Sequence, residues 1–495
     1  MTQPNVLLIV TDHWSAGLLG AAGHPAIQTP VLDQLARNGV RFTSAYSEHP
    51  VCLPARRSLM TGTSARRHGD RSFQPQLEMP ADLPTLAQTF RDAGYQAQAV
   101  GKIHVYPQRD RIGFDDVLLD DEGRTLYGTT DDYEIYLGEA GYLGRQYDHG
   151  MSNNTYTWRP WHLPEETHPT NWATRMTARA IKRRDPTRPS LWYCGYRHPH
   201  PPLVPLQSYV DLYRDIEIDA PVMGAWAQDR AALPYNAQAT QARGDALNLQ
   251  QALAARRAFY ALCTHIDHQI GSLIGTLRDE GVLDDTIVLF TTDHGDMLGN
   301  HGMWAKQVFY EGSCHIPMIL MGVADDKRVG FQRQDDRLVC LRDVMPTLLD
   351  LCGIALPEPV EGLSMLGDKK RETLYGEFGE GPHASRMLRR GSHKLIWYPC
   401  GNRFQLFDLG DDPQELHDRA GDPSLAGLQA DLTQALAGEI YGSDEAWVKD
   451  GALVGEPGKT FAAGPNRSIS ATRGRQWPVS PANDKGFMQF YPESK

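Results

Sequence analysis

The sequence predicts an α/β fold: a large, mostly parallel central sheet sandwiched by helices, then a smaller C-terminal antiparallel sheet with a helix. Three observations predict it. Short, largely apolar runs at 5–10, 95–100, 190–196 and 286–292 alternate with stretches of helical periodicity, the pattern of strands buried on both faces. Each of these runs is followed closely by a polar cluster. Beyond residue 370 the chain changes to short alternating strands around tight turns.

The first run, Asn5-Val6-Leu7-Leu8-Ile9-Val10, has no basic segment before it and is too short to span a bilayer. It reads as a buried parallel strand that gives way to Asp12 and His13. A helix follows, with Thr29 as candidate N-cap, Pro30 in its first turn, Val31, Leu32 and Leu35 on its apolar face, and Gly39 as its stop. The run 40–46 leads into Val51-Cys52-Leu53-Pro54-Ala55-Arg56-Arg57-Ser58-Leu59-Met60-Thr61-Gly62. Pro54 suits the first turn of a helix there, so Cys52 sits just ahead of a helix N-terminus, where free N–H groups favour an anion. A helix at 83–93, stopped by Gly94, and a strand at 95–100 ending in Gly101-Lys102-Ile103-His104 continue a βαβα pattern.

Regularity is lost from 106 to 185, where Gly, Asp and aromatic residues accumulate, Tyr127, Tyr133, Tyr156, Trp161 and Trp172 among them. This reads as an irregular insertion whose rings mostly pack it against the core, a substrate-facing wall being the alternative. A strand at 190–196 then ends in Arg197-His198-Pro199-His200. A long helix at 246–280 carries Leu253, Phe259, Ile266, Ile270 and Leu277 at helical spacing, with Gly281 as its stop. Strand 286–292 runs into Asp293-His294-Gly295-Asp296, and strand 316–321 and helix 341–352 complete a main domain over 1–370. Residues 371–445 read as an antiparallel meander closed by a helix at 424–440, and 446–495 as a tail wrapping the surface or the site mouth.

Forty-nine basic against 61 acidic residues leave a net charge of −12. General nucleic-acid binding and a polybasic membrane surface are thereby excluded, and an anionic substrate needs a local basic pocket. The seven cysteines are scattered and include no Cys-x-x-Cys pair, so neither a disulfide framework nor a structural zinc site is indicated. A reducing compartment fits, and with no export signal the cytoplasm is expected. For the same reason the acceptor pattern Asn153-Asn154-Thr155 carries no weight. A homo-oligomer is compatible with the chain. Arg66, Arg67 and Arg71 read as surface arginines, with an extended anion pocket as the alternative.

Asp12-His13, Lys102 with His104, His200, and Asp293-His294 all follow predicted buried strands. In open α/β sheets the ligand crevice lies outside the carboxyl ends of the strands. Four polar clusters therefore converge on one face, with Cys52 and Arg56 beside them. Asp12, Asp293 and His294 offer two carboxylates and an imidazole to a divalent cation: carboxylates suit Ca²⁺ or Mg²⁺, and imidazole widens the choice to Mn²⁺. Arg56, Lys102 and Lys306 supply positive charge for a tetrahedral oxyanion, while His104 and His200 can move protons. Each has a plainer alternative: Asp as a helix cap, His as a hydrogen-bonded structural residue, Lys306 solvated, Cys52 as a core thiol.

Cys52-x-Pro54-x-Arg56 followed by Leu59-Met60-Thr61-Gly62 resembles the signature of the type I, formylglycine-dependent sulfatases of the alkaline phosphatase superfamily. The opening strand with Asp12, Gly101-Lys102-x-His104, His198-Pro199-His200-x-Pro202, Asp293-His294-Gly295-Asp296, and Lys306 before Tyr310-Glu311-Gly312 follow in family order. The meander with Leu406-Phe407-Asp408-Leu409 matches too, so the likeness covers about residues 4–420, choline-sulfatase-like and arylsulfatase-like bacterial members being the nearest in pattern. The resemblance implies hydrolysis of a small sulfate ester, whether a sulfated sugar, an aryl sulfate or a choline-type sulfate. It implies one divalent metal, Ca²⁺ first, on Asp12, His13, Cys52, Asp293 and His294. It further implies a partner enzyme that converts Cys52 to formylglycine, whose hydrate attacks sulfur. Arg56, Lys102 and Lys306 would hold the sulfate, His200 with Lys306 would protonate the leaving alcohol, and His104 would take a proton as sulfate is expelled. Many members carry a second carboxylate where this chain has His13. A phosphonate monoester or phosphodiester hydrolase with the same site is the second reading, and a non-catalytic anion-binding relative the third.

Overall fold

The computed structural model describes residues 3–122, 130–151, 154, 156–245, 247–324 and 326–462; Tyr127, Asn153, Thr155 and the tail from 463 lie outside them. Strand β1 (Asn5–Thr11) lies inside the large sheet and pairs in parallel on both sides. After Asn5 its residues are apolar or Thr and all buried, as a strand covered on both faces requires. The other members are β2 (Val40–Tyr46), β3 (Gln96–Gly101), β4 (Asp116–Leu119), β5 (Ser190–Gly195), β6 (Thr286–Thr292), β7 (Met318–Met321) and β8 (Arg333–Cys340). Their order is β4-β3-β5-β1-β6-β7-β2-β8, and β7 alone runs against the rest.

Alternation on β1 divides its side chains between two apolar layers. Leu7 and Ile9 join the layer of the long helix Leu249–Asp279, and Val6, Leu8 and Val10 join the layer of helix Val344–Leu351. The 31-residue helix opens on a capping box, Asn248 with Gln251, slightly inside the span expected from sequence. Helix α1 (Pro30–Arg37) forms as expected, but Thr29 does not cap it: its hydroxyl takes the Gly20 N–H and donates to Asp33. The Val31 and Leu32 N–H groups instead reach the Asp267 carboxylate on the long helix, at 3.0 and 2.8 Å. A cap supplied from that far along the chain leaves no local sequence signal.

The stretch 106–185 is more regular than its composition suggests. It contributes β4, a helix Asp132–Glu139 and a 14-residue helix Pro169–Lys182. Tyr133, Tyr156, Trp161 and Trp172 are buried, so these rings pack the segment down. The meander has four strands: β9 (Thr373–Phe378), β10 (Ser385–Arg390), β11 (His393–Tyr398) and β12 (Arg403–Asp408). This sheet, β12-β11-β10-β9, is antiparallel throughout. One face packs Leu388, Leu395, Trp397 and Leu406 on Leu432 and Leu436 of helix Ala426–Glu439. The other carries Met387, Ile396 and Phe407 into a cluster with Tyr46, Val51, Val308 and Phe309 of the main domain. Among the described residues no helix is long and apolar enough to cross a membrane.

Candidate active site

Neighbouring strands β3, β5, β1 and β6 end side by side, and their carboxyl ends deliver Lys102, His200, Asp12 and Asp293 to one place. Gly101 makes the first of these turns (φ +94°), and a Cβ there would come within 2.0 Å of the Gly195 carbonyl oxygen on β5. Helix α2 (Cys52–Thr61) brings in the fifth element. Cys52 is its first residue rather than the one before it, and Gly62 (φ +65°) closes it, its N–H on the Ser58 carbonyl. Every residue of α2 is buried, Arg56 and Arg57 included.

Cys52 Sγ lies 3.2 Å from His294 Nε2 and 3.8 Å from Asp12 Oδ1. Asp12, Cys52, Asp293 and His294 each present a donor atom, all buried and within 4.8 Å of one another. His294 Nδ1 sits 3.0 Å from the Gly295 carbonyl, which turns Nε2 toward this group. Two carboxylates, an imidazole and residue 52 suit a hard or borderline divalent cation, so the residues present fit a metal.

The structure divides the ligand set that the sequence suggested. His13 falls outside the four-donor group: its Nδ1 is 2.6 Å from Asp296 Oδ2, and its Nε2 contacts Lys306 Nζ. A second, smaller grouping of Asp12, His13 and His200 lies alongside. With Asp296 on Nδ1 and Lys306 on Nε2, His13 joins the lysine to the sheet, and its Nε2 lies 3.6 Å from Asp12 Oδ1 at the edge of the four donors.

Arg56 also differs from expectation. It was read as a direct hold on the oxyanion, yet its guanidinium donates to Asp293 Oδ2 (2.8 Å), the Lys102 carbonyl (2.8 Å), Tyr193 Oη (2.9 Å) and the Thr11 carbonyl (3.3 Å). It braces Asp293 against the ends of β1 and β3. Lys102 donates to Asp12 Oδ2 at 2.5 Å and to Glu122. His200 places Nδ1 on the Pro201 carbonyl at 2.5 Å, with its ring 4.5 Å from that of His13. His104 is buried at φ +59°, its N–H on Asp121, and lies with Arg56 and Arg57 at a small hollow.

Burial raises the Asp12 carboxyl, but Lys102 with His200, His13 and His294 carries it well below the usual carboxylate range. For Cys52, burial and Asp12 push the thiol up, and Lys306, Lys102 and His294 together bring it below the ordinary value. Burial holds His13 and His200 well below an ordinary imidazole. His294 stands higher than usual: burial lowers it, and Asp293 and Cys52 outweigh that.

Four partners were missed in the sequence. Asp296 accepts from His13, Tyr156 and the Leu298 and Ala305 N–H groups; it ends the quoted Asp293-His294-Gly295-Asp296 run, so a signal was present. Glu122, Tyr156 and Tyr193 had none beyond composition. The arginines past α2 separate: Arg66 and Arg67 are half-exposed, while Arg71 is buried on Glu377 and Asp444.

Residues 4–354 match the sulfatase family. The chain belongs to it. As a member it is a sulfuric ester hydrolase, and residues 299–440 further match the C-terminal part of N-sulphoglucosamine sulphohydrolases. An arylsulfatase of Clostridium perfringens is 33% identical over 91% of this chain and 97% of its own length. A choline-sulfatase of Rhizobium meliloti is 30% identical, covering 87% and 85%. Among solved structures, the phosphonate monoester hydrolase of Agrobacterium radiobacter shares the sulfatase chain's fold, with a TM-score of 0.74 at 23% identity over 90% of this chain and 98% of that one.

Proposed function

We propose that the protein hydrolyses a small sulfate ester to an alcohol and inorganic sulfate, with residue 52 matured to formylglycine and one divalent cation, Ca²⁺ first, with Mg²⁺ or Mn²⁺ as alternatives. The observation that carries this reading is Cys52 at the N-terminus of α2, within 4.8 Å reach of the Asp12, Asp293 and His294 donors. Hydrated formylglycine supplies an oxygen nucleophile and a second hydroxyl that lets sulfate leave by carbon–oxygen cleavage. The cation, held by Asp12, Asp293, His294 and residue 52, supplies charge neutralisation and a lowered hydroxyl pKa.

The chain's own residues do the rest. Lys102 and Lys306 carry the positive charge that a sulfuryl group needs as its charge shifts during transfer. Arg56 fixes Asp293 and so keeps the donor group open toward residue 52. His200, whose Nδ1 is committed to the Pro201 carbonyl, moves protons at Nε2. Burial lowers the His200 imidazole, an anionic ester beside it favours its protonated form, and with Lys306 it protonates the leaving oxygen. His104 takes the proton of the second hydroxyl.

The arylsulfatase and choline-sulfatase relatives support an aryl or choline-type sulfate, with sulfated sugars as the wider class. Phosphonate monoester hydrolysis is the second reading, supported by the shared fold. The deciding measurement is the mass of the proteolytic peptide containing residue 52, from protein co-produced with a formylglycine-generating enzyme. It is followed by turnover of matched aryl sulfates and aryl phosphonates. An aldehyde at 52 with faster sulfate turnover is expected. An unmodified thiol in that protein overturns the mechanism at its first step, and faster phosphonate turnover moves the substrate class.

A further inference from the structure

The loop that carries Lys306 is held in an unfavourable backbone shape. Ala305 (φ +67°) and Gln307 (φ +81°), on either side of the lysine, are both left-handed without being glycine. Such residues persist only where their surroundings over-determine them. Part of the support is local: the Ala305 N–H donates to Asp296, and its carbonyl takes the Met297 N–H. The Gln307 N–H reaches the Pro50 carbonyl, two residues from Cys52, at 3.0 Å.

The remaining support comes from helix Tyr235–Ala242, which no sequence signal had tied to the site. An eight-residue helix with an ordinary packing face buries Leu, Ile or Val there. This one buries Asn236, Gln238, Thr240 and Gln241. The amides of Asn236, Gln238 and Gln241 reach loop carbonyls, while the Thr240 hydroxyl bonds the helix's own Asn236 carbonyl and only Ala237 joins an apolar cluster. Asn236 Nδ2 donates to the Gln307 carbonyl at 2.8 Å. Gln241 Nε2 donates to the His301 carbonyl at 2.8 Å, and the Trp304 N–H reaches the Thr240 carbonyl at 3.4 Å. Just past the helix, Arg243 donates to the Gln307 side chain.

We propose that this helix is the template that sets the Lys306 loop, and that Asn236, gripping the backbone of Gln307, is a positioning residue for Lys306. Resting on the reading of Lys306 as the partner of His200 at the leaving oxygen, the inference adds what aims it. Asn236 touches neither substrate nor the four donors. Its loss lets residues 305–307 relax toward an ordinary backbone and draws Lys306 Nζ away from His13 and the leaving group.

The test is the leaving-group dependence of kcat/KM for a series of aryl sulfates from 4-nitrophenyl to phenyl, in matured enzyme, for wild type, Asn236→Leu and Asn236→Ser. With Lys306 misplaced, poor leaving groups lose help that good ones do not need. The expected result for Asn236→Leu is a loss of about tenfold to a hundredfold for phenyl sulfate, a much smaller loss for 4-nitrophenyl sulfate, and hence a steeper dependence. Asn236→Ser, which keeps a hydroxyl, should fall between. The slope does not depend on how much of the protein is active, so partial misfolding does not mimic the effect. An unchanged slope, at any absolute rate, overturns the proposal. So does complete inactivity of both variants in protein that melts like wild type, because a positioning residue slows the reaction without abolishing it. If wild type prefers aryl phosphonates, the sulfate reading fails on its own, and the same slopes read on phosphonates still decide the role of Asn236.

Discussion

Asp12 gives one carboxylate oxygen to Lys102 and turns the other toward Cys52 and His294, at 3.8 and 3.5 Å. Asp293 is divided in the same way, between Arg56 on one oxygen and its neighbour's N–H on the other. Asp12 keeps Oδ1 for a cation, and Asp293, with one protein donor on each oxygen, keeps a second lone pair on Oδ1 beside it. A divalent ion should therefore stabilise the folded state over the unfolded chain. Added to chelator-stripped protein, Ca²⁺ should raise Tm in a concentration-dependent way, by the equivalent of about 2.7 kcal/mol at a hundredfold excess over Kd. Asp293→Asn keeps the shape and removes the charge, so its baseline Tm should drop, with Arg56 left short of its counter-ion, and its Tm should respond little to Ca²⁺. An undiminished response in that variant would assign the ion to other donors. These acids were visible in the sequence because each follows a buried strand. Asp296 ended a run that was read, but its role as a brace for His13 was not visible, nor were Glu122 and Asn236, because each holds a group that the chain brings back from elsewhere in the fold. No local pattern encodes that.

At the scale of elements, the reading succeeded where one periodicity ran unbroken. β1, β5 and β6 lie within a residue of their expected places, and the long helix within three. It failed where pairing partners decide. β8, with Arg, Gln and Asp in its first half, and β9, with a Gly and a Glu, lack the apolar run of a central strand and are fixed by the neighbours they join. Lys394 on β11 shows how such an element is pinned. Its buried Nζ lies 2.7 Å from Glu311 of the main domain and 2.7 Å from Glu415. Burial raises the Glu311 carboxyl, but Lys394 and His315 bring it down to about 2. Burial pushes Glu415 up to about 7 against the pull of Lys394, with the Glu311 charge adding to the rise. The depressed Glu311 contributes stability that is present above its ordinary 4.5 and lost as pH falls toward 2. The raised Glu415 works the other way, costing stability as pH climbs from 4.5 through 7. Lys394→Met removes the cation from both and leaves two carboxylates facing each other. The loss should be about 3–5 kcal/mol at pH 8 and should shrink toward pH 4.5, where both acids can take protons in the variant. Urea denaturation at the two pH values reads this directly. An equal loss at both would mean that the lysine acts through the packing of its stem and not through its charge.

For the molecule as a whole, the parallel sheet's last strand ends at Cys340 and the antiparallel sheet's first begins at Thr373, while the sequence put the change at 370 on a shift from long apolar runs to short alternating strands. Architecture and cooperativity are separate questions. Met387, Ile396 and Phe407 of the small sheet share one apolar cluster with Val51, beside Cys52, and with Val308 and Phe309, just after Lys306. Arg71, ten residues past the end of α2, is clamped by Glu377, Glu380 and Asp444, and Arg386 meets the same Asp444. Removing the small sheet would expose that cluster and strand Arg71, a buried cation, without its acids. The two parts should therefore unfold together. Calorimetry of the full chain should show a single transition whose calorimetric and van't Hoff enthalpies agree. A chain cut after residue 370 should be aggregation-prone and inactive, although it keeps every residue assigned to the site, because the backbone on both sides of Cys52 and Lys306 rests on the missing sheet. Two resolved transitions, or a soluble and active 1–370 fragment, would show instead that the cluster is a contact between independently stable units and that the site stands on the parallel sheet alone.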